Sequence, residues 1–200
     1  MPAADHELIR RMQLGDLDAF EALFRRYRAP IYRTAYGLTG DPHAAEEVLL
    51  DTFARAYRRR DTLLPSVSPL PWLHRVALNL CYSRLSRRRL AQEPITDLSA
   101  HRMPDDAPQP AERAEQAELR VFVREGIARL PEKQRSVVVL YYLQRMSLQE
   151  TADTLGIQVG TVKSRLYYAL RTLRSHLEGD RRLAGGYLPV TDEEAQASTP

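Results

Sequence analysis

The chain holds a single cysteine, Cys81, which excludes an internal disulfide and any multi-thiolate metal site. Cys81 lies inside an apolar helical pattern and reads as a buried structural thiol. Lysine is almost missing: 27 arginines stand against 2 lysines, a bias that points to a GC-rich genome. Glycine is sparse, with nine residues scattered at turns. The sequence has no GxxxxGK[ST] loop, no GxGxxG, no GxSxG elbow and no HExxH pair, so the common nucleotide-binding, hydrolase and zinc-protease signatures are excluded. Its carboxylates sit at helix starts and in a linker, where capping and solvation account for them. The five histidines, His6, His43, His74, His101 and His176, share no ligand spacing. Neither an enzyme nor a cofactor or metal is expected. Long apolar runs are lacking too, and the start MPAADHEL is acidic. No membrane insertion or export is therefore expected, and the chain reads as cytoplasmic.

What is present is a pattern of charge. The net charge is +3 over 200 residues, but it is unevenly spread. Residues 1–90 carry 15 basic against 10 acidic side chains, and residues 119–178 carry 10 against 5. Between them, 91–118 carry 2 against 7, and the tail from 179 carries 2 against 4. Two basic bodies joined by an acidic tether suit two modules on one nucleic acid. The tether is proline-rich and poor in apolar residues. The spacing predicts a flexible linker over 91–113, helix resuming near Glu112, and a disordered tail over 179–200. The two bodies are expected to tumble semi-independently.

The most telling segment is Ser147–Leu177. Ser147 with Glu150 is the reciprocal capping signature that opens a helix. Leu148, Ala152 and Leu155 form its apolar stripe, and Gly156 follows where a left-handed residue lets the chain turn. A second helix starts near Val159, with Val162, Leu166, Leu170, Leu173 and Leu177 read as its buried face. Its opposite face carries Thr161, Lys163, Ser164, Arg165, Tyr167, Tyr168, Arg171 and Arg174. Two amphipathic helices could also be an ordinary bundle, but the Gly-centred turn and the cationic, hydrogen-bonding face favour a helix-turn-helix that reads the major groove.

The N-terminal body is helical as well. Phe20, Leu23, Phe24, Tyr27, Ile31, Ala35 and Leu38 share one helical face, with a kink expected at Pro30. Gly40 closes that helix, and Asp41-Pro42 opens the next, which buries Val48, Leu49, Phe53, Ala56 and Tyr57 and ends in Arg58, Arg59 and Arg60. In a third helix Leu73, Val76, Ala77 and Leu80 point inward. Arg84, Arg87, Arg88 and Arg89 crowd its end and repel one another unless an anion is near, which favours a phosphate-binding surface.

The order GDxxAFxxLxxxY, GDPHxAEEVxxDTFxRAY, PWLxRxAxN with an arginine cluster, and LPxxQRxVxxLxYLxxxSxxExAxxLGIxxGTVKSRL resembles the sigma-70 superfamily, specifically its extracytoplasmic-function branch, over roughly residues 5–178. The resemblance implies an all-α fold of two helical domains: region 2 over 1–90 and region 4 over 114–178. It further implies binding to the RNA polymerase core and to promoter DNA, with an anti-sigma factor as partner. Carried over residue by residue, Asp51, Phe53 and Arg55 resemble the core-docking face. Here Leu50 replaces a frequent Gln. The loop from Asp61 to Pro71 matches the segment that captures a base flipped from the non-template strand. Trp72, Asn79, Arg84, Arg87, Arg88 and Arg89 resemble the minus-ten surface, with Leu78 and Ser83 at positions commonly Arg and Asp. Thr161, Lys163, Ser164, Arg165, Tyr167, Tyr168 and Arg171 fall on the minus-thirty-five face, where Tyr168 and Leu170 replace two usual arginines and Gln158 replaces the usual N-cap serine. Two other readings fit parts of the chain: a helix-turn-helix regulator that needs no polymerase, and a sigma-like protein that sequesters anti-sigma factors.

Overall fold

The computed structural model describes residues 4–90 and 121–178, and every regular element among them is helical. Four helices form the N-terminal half: α1 (Asp5–Gln13), α2 (Leu17–Thr39), α3 (Pro42–Arg58) and α4 (Leu70–Leu90), with one 3-10 turn at Arg60–Thr62. The C-terminal half holds α5 (121–129), α6 (Glu132–Val138), a π-helical turn at Val139–Leu143, α7 (Leu148–Leu155) and α8 (Val159–Glu178). The expected linker at 91–113, the resumption of helix near Glu112 and the tail at 179–200 lie outside the described residues.

Local chemistry explains the boundaries. Asp16 caps α2 by accepting from the Asp18 and Ala19 amides, and Gly40 ends it in the left-handed region at φ 68°. Asp41 caps α3 in the same way, with Pro42 in the first turn, where a missing N–H costs nothing. Helix α2 runs on through Pro30. Helix α1 is absent from the sequence reading, although Leu8, Ile9 and Met12 do form a short apolar stripe and are all buried.

Leu23, Tyr27, Ile31, Ala35 and Leu38 of α2 are buried as their spacing predicts, against Val48, Phe53 and Ala56 of α3 and Leu73, Ala77 and Leu80 of α4. Cys81 is fully buried, and burial pushes its thiol up to about 12, so it stays protonated. One polar pair is sealed between α2 and α4: Thr34 Oγ1 lies 3.0 Å from His74 Nδ1, and both residues are buried.

The two halves are not separate bodies. Helix α7 packs on α4, and the π-helical turn and α6 pack on α2. Gly37 makes this approach possible, since a Cβ there would sit 3.0 Å from a Val139 methyl and 3.4 Å from a Leu143 methyl. Arg135 ties the halves together, donating to the Leu38 carbonyl at 2.6 Å and to the Leu130 carbonyl at 3.0 Å, with a third bond to the Ala128 carbonyl. Leu38 lies in the last turn of α2, where carbonyls have no intrahelical partner. Arg124 adds a bond to the Tyr36 hydroxyl at 3.2 Å. Semi-independent tumbling, expected from the tether's composition, is therefore not the arrangement seen. Linker composition says nothing about the faces it joins, and here those faces are complementary.

The glycine at this junction and the buried histidine each lead to a measurable outcome. Gly37→Val should keep the helix content, because valine is the better helix former, yet drive Val139 and Leu143 away; small-angle scattering should show a larger radius of gyration than wild type, and an unchanged radius would mean Gly37 does not gate the approach. The second outcome concerns His74, whose imidazole is pushed down to about 4, first by burial and then by the Arg33 charge. A depressed histidine pKa means the unfolded chain takes up the proton first as pH falls. The stability tied to neutral His74 is thus complete above about pH 6.5 and is lost toward pH 4, by about 3 kcal/mol at most. Denaturant unfolding across this window should show a steeper loss for wild type than for His74→Gln; parallel curves would remove His74 as the cause.

Candidate nucleic-acid interface

The C-terminal turns of α3 and the first turns of α4 face each other across a cleft of about 380 Å³ lined by Arg55, Arg58, Arg59, Trp72, Arg75, Val76 and Asn79. The spacing on α4 is i, i+3, i+4, i+7, so these side chains form one helical face. Four guanidinium groups, one indole and one carboxamide line the cleft, and no carboxylate does. Such a lining neutralises phosphates, stacks on an unstacked base and hydrogen-bonds a base edge. Arg55, assigned by resemblance to core docking, shares this cleft with Trp72 and Asn79, assigned to the minus-ten element. Arg58, Arg59, Arg75 and Val76 belong to the same surface, which sequence reasoning misses: it places Arg58 and Arg59 as cations at a helix end and Val76 as inward-pointing. The four-residue spacing on α4 is the available signal.

The rest of the arginine cluster divides. Arg84 is half-buried and bonds to Glu47 and, at 3.5 Å, to Asp51. Its anion is therefore already supplied by the protein, which corrects its reading as a free phosphate contact. The pair also binds a residue assigned to DNA to one assigned to core docking. Arg87 is exposed and donates to the Ser83 carbonyl at 3.2 Å, while the side chains of Arg88 and Arg89 lie outside the described residues. Phe53 is buried, as its helical spacing predicts, at 3% exposed, its ring meeting Phe24 edge-on at 4.8 Å and Phe20 at 6.4 Å; what is corrected is its place, by resemblance, among the core-docking residues. It lies beneath the α3 surface on which Asp51, Arg55 and Leu50 stand exposed. Leu78, at the common arginine position, is 2% exposed, so that position is core here. Ser83 turns back to bond the Asn79 carbonyl at 2.9 Å.

The 61–71 loop begins in the 3-10 turn. Leu63 is buried, while Leu64 and Val67 are exposed. Beside the loop a second hollow of about 400 Å³ is lined by Asp5, His6 and Arg10 of α1 and by Pro65, Ser66, Val67 and Ser68. The Tyr27 hydroxyl is pushed up to about 12 by burial first, then by its bond to Asp5.

In the C-terminal half the capping box is complete. Ser147 Oγ accepts from the Glu150 amide at 3.1 Å, and Glu150 accepts from the Ser147 amide at 2.8 Å. Gly156 ends α7 at φ 65°. Helix α8 begins at Val159 with the Gln158 carbonyl accepting from Thr161 and Val162. Lys163, Ser164, Tyr167, Tyr168 and Arg171 are exposed as expected. Thr161 and Arg165 are half-buried, and burial pushes the Tyr82 phenol of α4 up while the Arg165 charge partly offsets it. The buried set is Val162, Leu166 and Ala169, with Leu173 partly covered. Leu170 departs from its expected place: it is 36% exposed, because at 3.6 residues per turn it stands about 70° from the centre of the stripe formed by Val162, Leu166, Ala169 and Leu173.

The Gly156 turn closes on the cleft. A Cβ at Gly156 would lie 2.6 Å from Arg75 Nη2, so the guanidinium of a cleft residue rests against the helix-turn-helix turn. Among the described residues no cluster of histidine, cysteine or carboxylate side chains is arranged for a metal, and no helix is long and apolar enough to cross a membrane.

Known proteins resemble the chain in both halves. The family described as Sigma-70 region 2 matches residues 23–91, and that described as Sigma-70, region 4 matches residues 123–173. ECF RNA polymerase sigma factor SigW of Bacillus subtilis is 32% identical over 178 residues, covering 84% of this chain and 94% of that protein. RNA polymerase sigma-E factor of Streptomyces antibioticus is 35% identical over 167 residues, covering 84% and 89%. In solved structures, CnrH in complex with the cytosolic domain of CnrY shares the fold with a TM-score of 0.65 at 24% identity, over 89% of this chain and 99% of that one. RpoE of Bartonella quintana, crystallised with the anti-sigma factor NepR, shares it with a TM-score of 0.63 at 22% identity, over 81% and 98%.

Proposed function

The chain belongs to the extracytoplasmic-function branch of the sigma-70 family of RNA polymerase sigma factors, and from that premise we propose how its residues divide the work of promoter recognition. Members of this family direct transcription initiation and are not themselves enzymes. The exposed face of α3, with Asp51, Arg55 and Leu50 over buried Phe53, docks on the polymerase core. The arginine-lined cleft between α3 and α4 takes the minus-ten element, with Arg58, Arg59 and Arg75 on phosphates, Trp72 stacking and Asn79 reading a base edge. Arg87 extends this basic surface, with Arg88 and Arg89 following it in sequence. The loop from Asp61 to Pro71 receives the flipped base, offsetting an unstacking cost of a few kcal/mol. Helix α8 takes the minus-thirty-five element through Thr161, Lys163, Ser164, Arg165, Tyr167, Tyr168 and Arg171.

The observation that carries this reading is the cleft, where four arginines meet a tryptophan and an asparagine with no acidic side chain among them. A regulator acting without polymerase needs the helix-turn-helix but has no use for this second basic surface. Because Arg75 rests against the Gly156 turn and Thr161 and Arg165 are half-buried, both DNA surfaces are partly covered. The two halves part when DNA is bound. An anti-sigma partner acting in the cytoplasm would hold them closed, as an added ligand selective for that state.

In vitro transcription with purified core polymerase should yield promoter-specific transcripts that need both proteins, and specific promoter binding by the chain alone would favour the regulator. The double variant Arg58→Ala, Arg75→Ala should lower the slope of log affinity against log salt for holoenzyme by about 2, roughly 0.9 for each phosphate no longer neutralised. An unchanged slope would take the cleft off the DNA. On α8, Tyr168→Arg restores a side chain able to grip guanine in two places, so binding-site selection with holoenzyme should move toward guanine at one minus-thirty-five position by about 1 to 3 kcal/mol. Identical selected sequences would show that position 168 does not read bases.

A further inference from the structure

Gln13 ends α1 and is half-buried, yet its side chain does not serve its own helix. Its Nε2 donates to the Arg60 carbonyl at 3.0 Å and to the Leu63 carbonyl at 2.9 Å, across sequence separations of 47 and 50 residues. These two carbonyls bracket the 3-10 turn Arg60–Thr62, from which the loop to Pro71 departs. The same turn already bonds the Leu63 amide to the Arg60 carbonyl at 3.1 Å, so Gln13 supplies the remaining donor that fixes where the loop begins. Toward the start of α1, Asp5 accepts from the Tyr27 phenol and pairs with Arg26, and Asp5, His6 and Arg10 line a hollow together with Pro65, Ser66, Val67 and Ser68 of the loop. Asp5 opens α1 as Gln13 closes it. Helix α1 therefore lies along the loop as a splint, bonded to the loop's start through Gln13. Leu64 and Val67 of the loop remain exposed.

We propose that Gln13 is a positioning residue for promoter melting, holding the loop in its base-receiving shape before DNA arrives while touching no DNA itself. The proposal rests on the reading of residues 61–71 as the loop that receives the flipped base. Physically it is preorganisation: a loop fixed in advance loses little freedom when a base enters, whereas a loose one must be ordered at the moment of melting. The role requires a donor with two N–H groups at this reach. Leucine has the shape without the donors, glutamate sets a carboxylate against two carbonyl oxygens, and lysine has the reach with three donors.

The test compares Gln13→Leu, Gln13→Glu and Gln13→Lys as full chains assembled into holoenzyme. Four quantities are read: the thermal midpoint of the free protein, core affinity, affinity for duplex promoter held closed at low temperature, and unstacking of 2-aminopurine placed singly along the non-template minus-ten strand. With two modest hydrogen bonds removed, the rate of open-complex formation should fall about tenfold in Gln13→Leu and further in Gln13→Glu. The deficit should concentrate at one 2-aminopurine position, with core and duplex affinities within about twofold of wild type and Gln13→Lys close to wild type. Wild-type melting by Gln13→Leu would overturn the proposal. So would an equal loss in core binding, duplex binding and melting, which would mark Gln13 as merely structural. A companion variant with Ser66, Val67 and Ser68 replaced by glycine separates the two layers. If it melts promoters normally, the loop reading fails and the proposal with it. If it fails to melt while Gln13→Leu succeeds, only the role of Gln13 falls.

Discussion

One face of helix α2 is buried along its length against helices from both halves, and the rest of the structure is arranged by that constraint. Ala19, Leu23, Tyr27, Ile31, Thr34, Ala35 and Leu38 are all buried in it. Its neighbours include α1, α3, α4, α6 and the π-helical turn. At roughly 25 cal/mol for each Å² of apolar surface removed from water, burying a side chain the size of Ile31 or Leu38 is worth about 1.5 to 3 kcal/mol. Its other face stays in solvent, with Glu21, Arg25, Arg28 and Arg33 exposed. The arginine-lined cleft lies between two of the helices packed on the buried face, α3 and α4.

Electrostatics then decides which arginines are free to act. A cluster of like charges at the end of α4 needs a counter-charge, and the chain provides one for Arg84 in Glu47 and Asp51. An exposed ion pair of this sort adds little to stability, about 0 to 1 kcal/mol. Its effect is allocation. It fixes α4 beside α3 and partly neutralises the exposed Asp51 carboxylate, while the cleft arginines have no acidic neighbour in their lining. The arginines that look alike in sequence thus differ in role because of carboxylates more than thirty residues away.

The sequence made the capped helix starts, the Gly40 and Gly156 stops, the capping box and the recognition helix legible, because each depends on residues within one or two turns. The buried faces of α2 and α3 were legible for the same reason. What it misread depends on distant partners. Phe53 reads as buried from its spacing and is closed over by Phe20 and Phe24, and only the resemblance sets it among docking residues. Leu170 looks buried by a four-residue count from Leu166, yet it stands about 70° from the centre of the stripe formed by Val162, Leu166, Ala169 and Leu173. The packing of α7 on α4 had no local signature at all. Gly37 records the approach of the two halves, as Gly156 does, and a glycine in mid-helix is ambiguous until the opposing Val139 is placed. Gln13 is a similar case, since a polar residue at a helix end carries no mark of carbonyls 47 and 50 positions away.

Two demands meet at Gly156. The turn of the helix-turn-helix needs a left-handed residue there, at φ 65°, and the Arg75 guanidinium needs the space that a Cβ would fill. Only glycine satisfies both. Arg75 lines the cleft as well, so on the proposed reading a phosphate that drew its guanidinium off this turn would link closure of the two halves to occupation of the cleft. Whatever tightens one weakens the other by the same factor, and the coupling is reciprocal. A phosphate offers Arg75 a charge that the neutral glycine turn does not, so a phosphate bound in the cleft would favour the parted state. A ligand that fits only the closed halves opposes it. Competition of this kind needs no long-range pathway, because the contested guanidinium belongs to both surfaces.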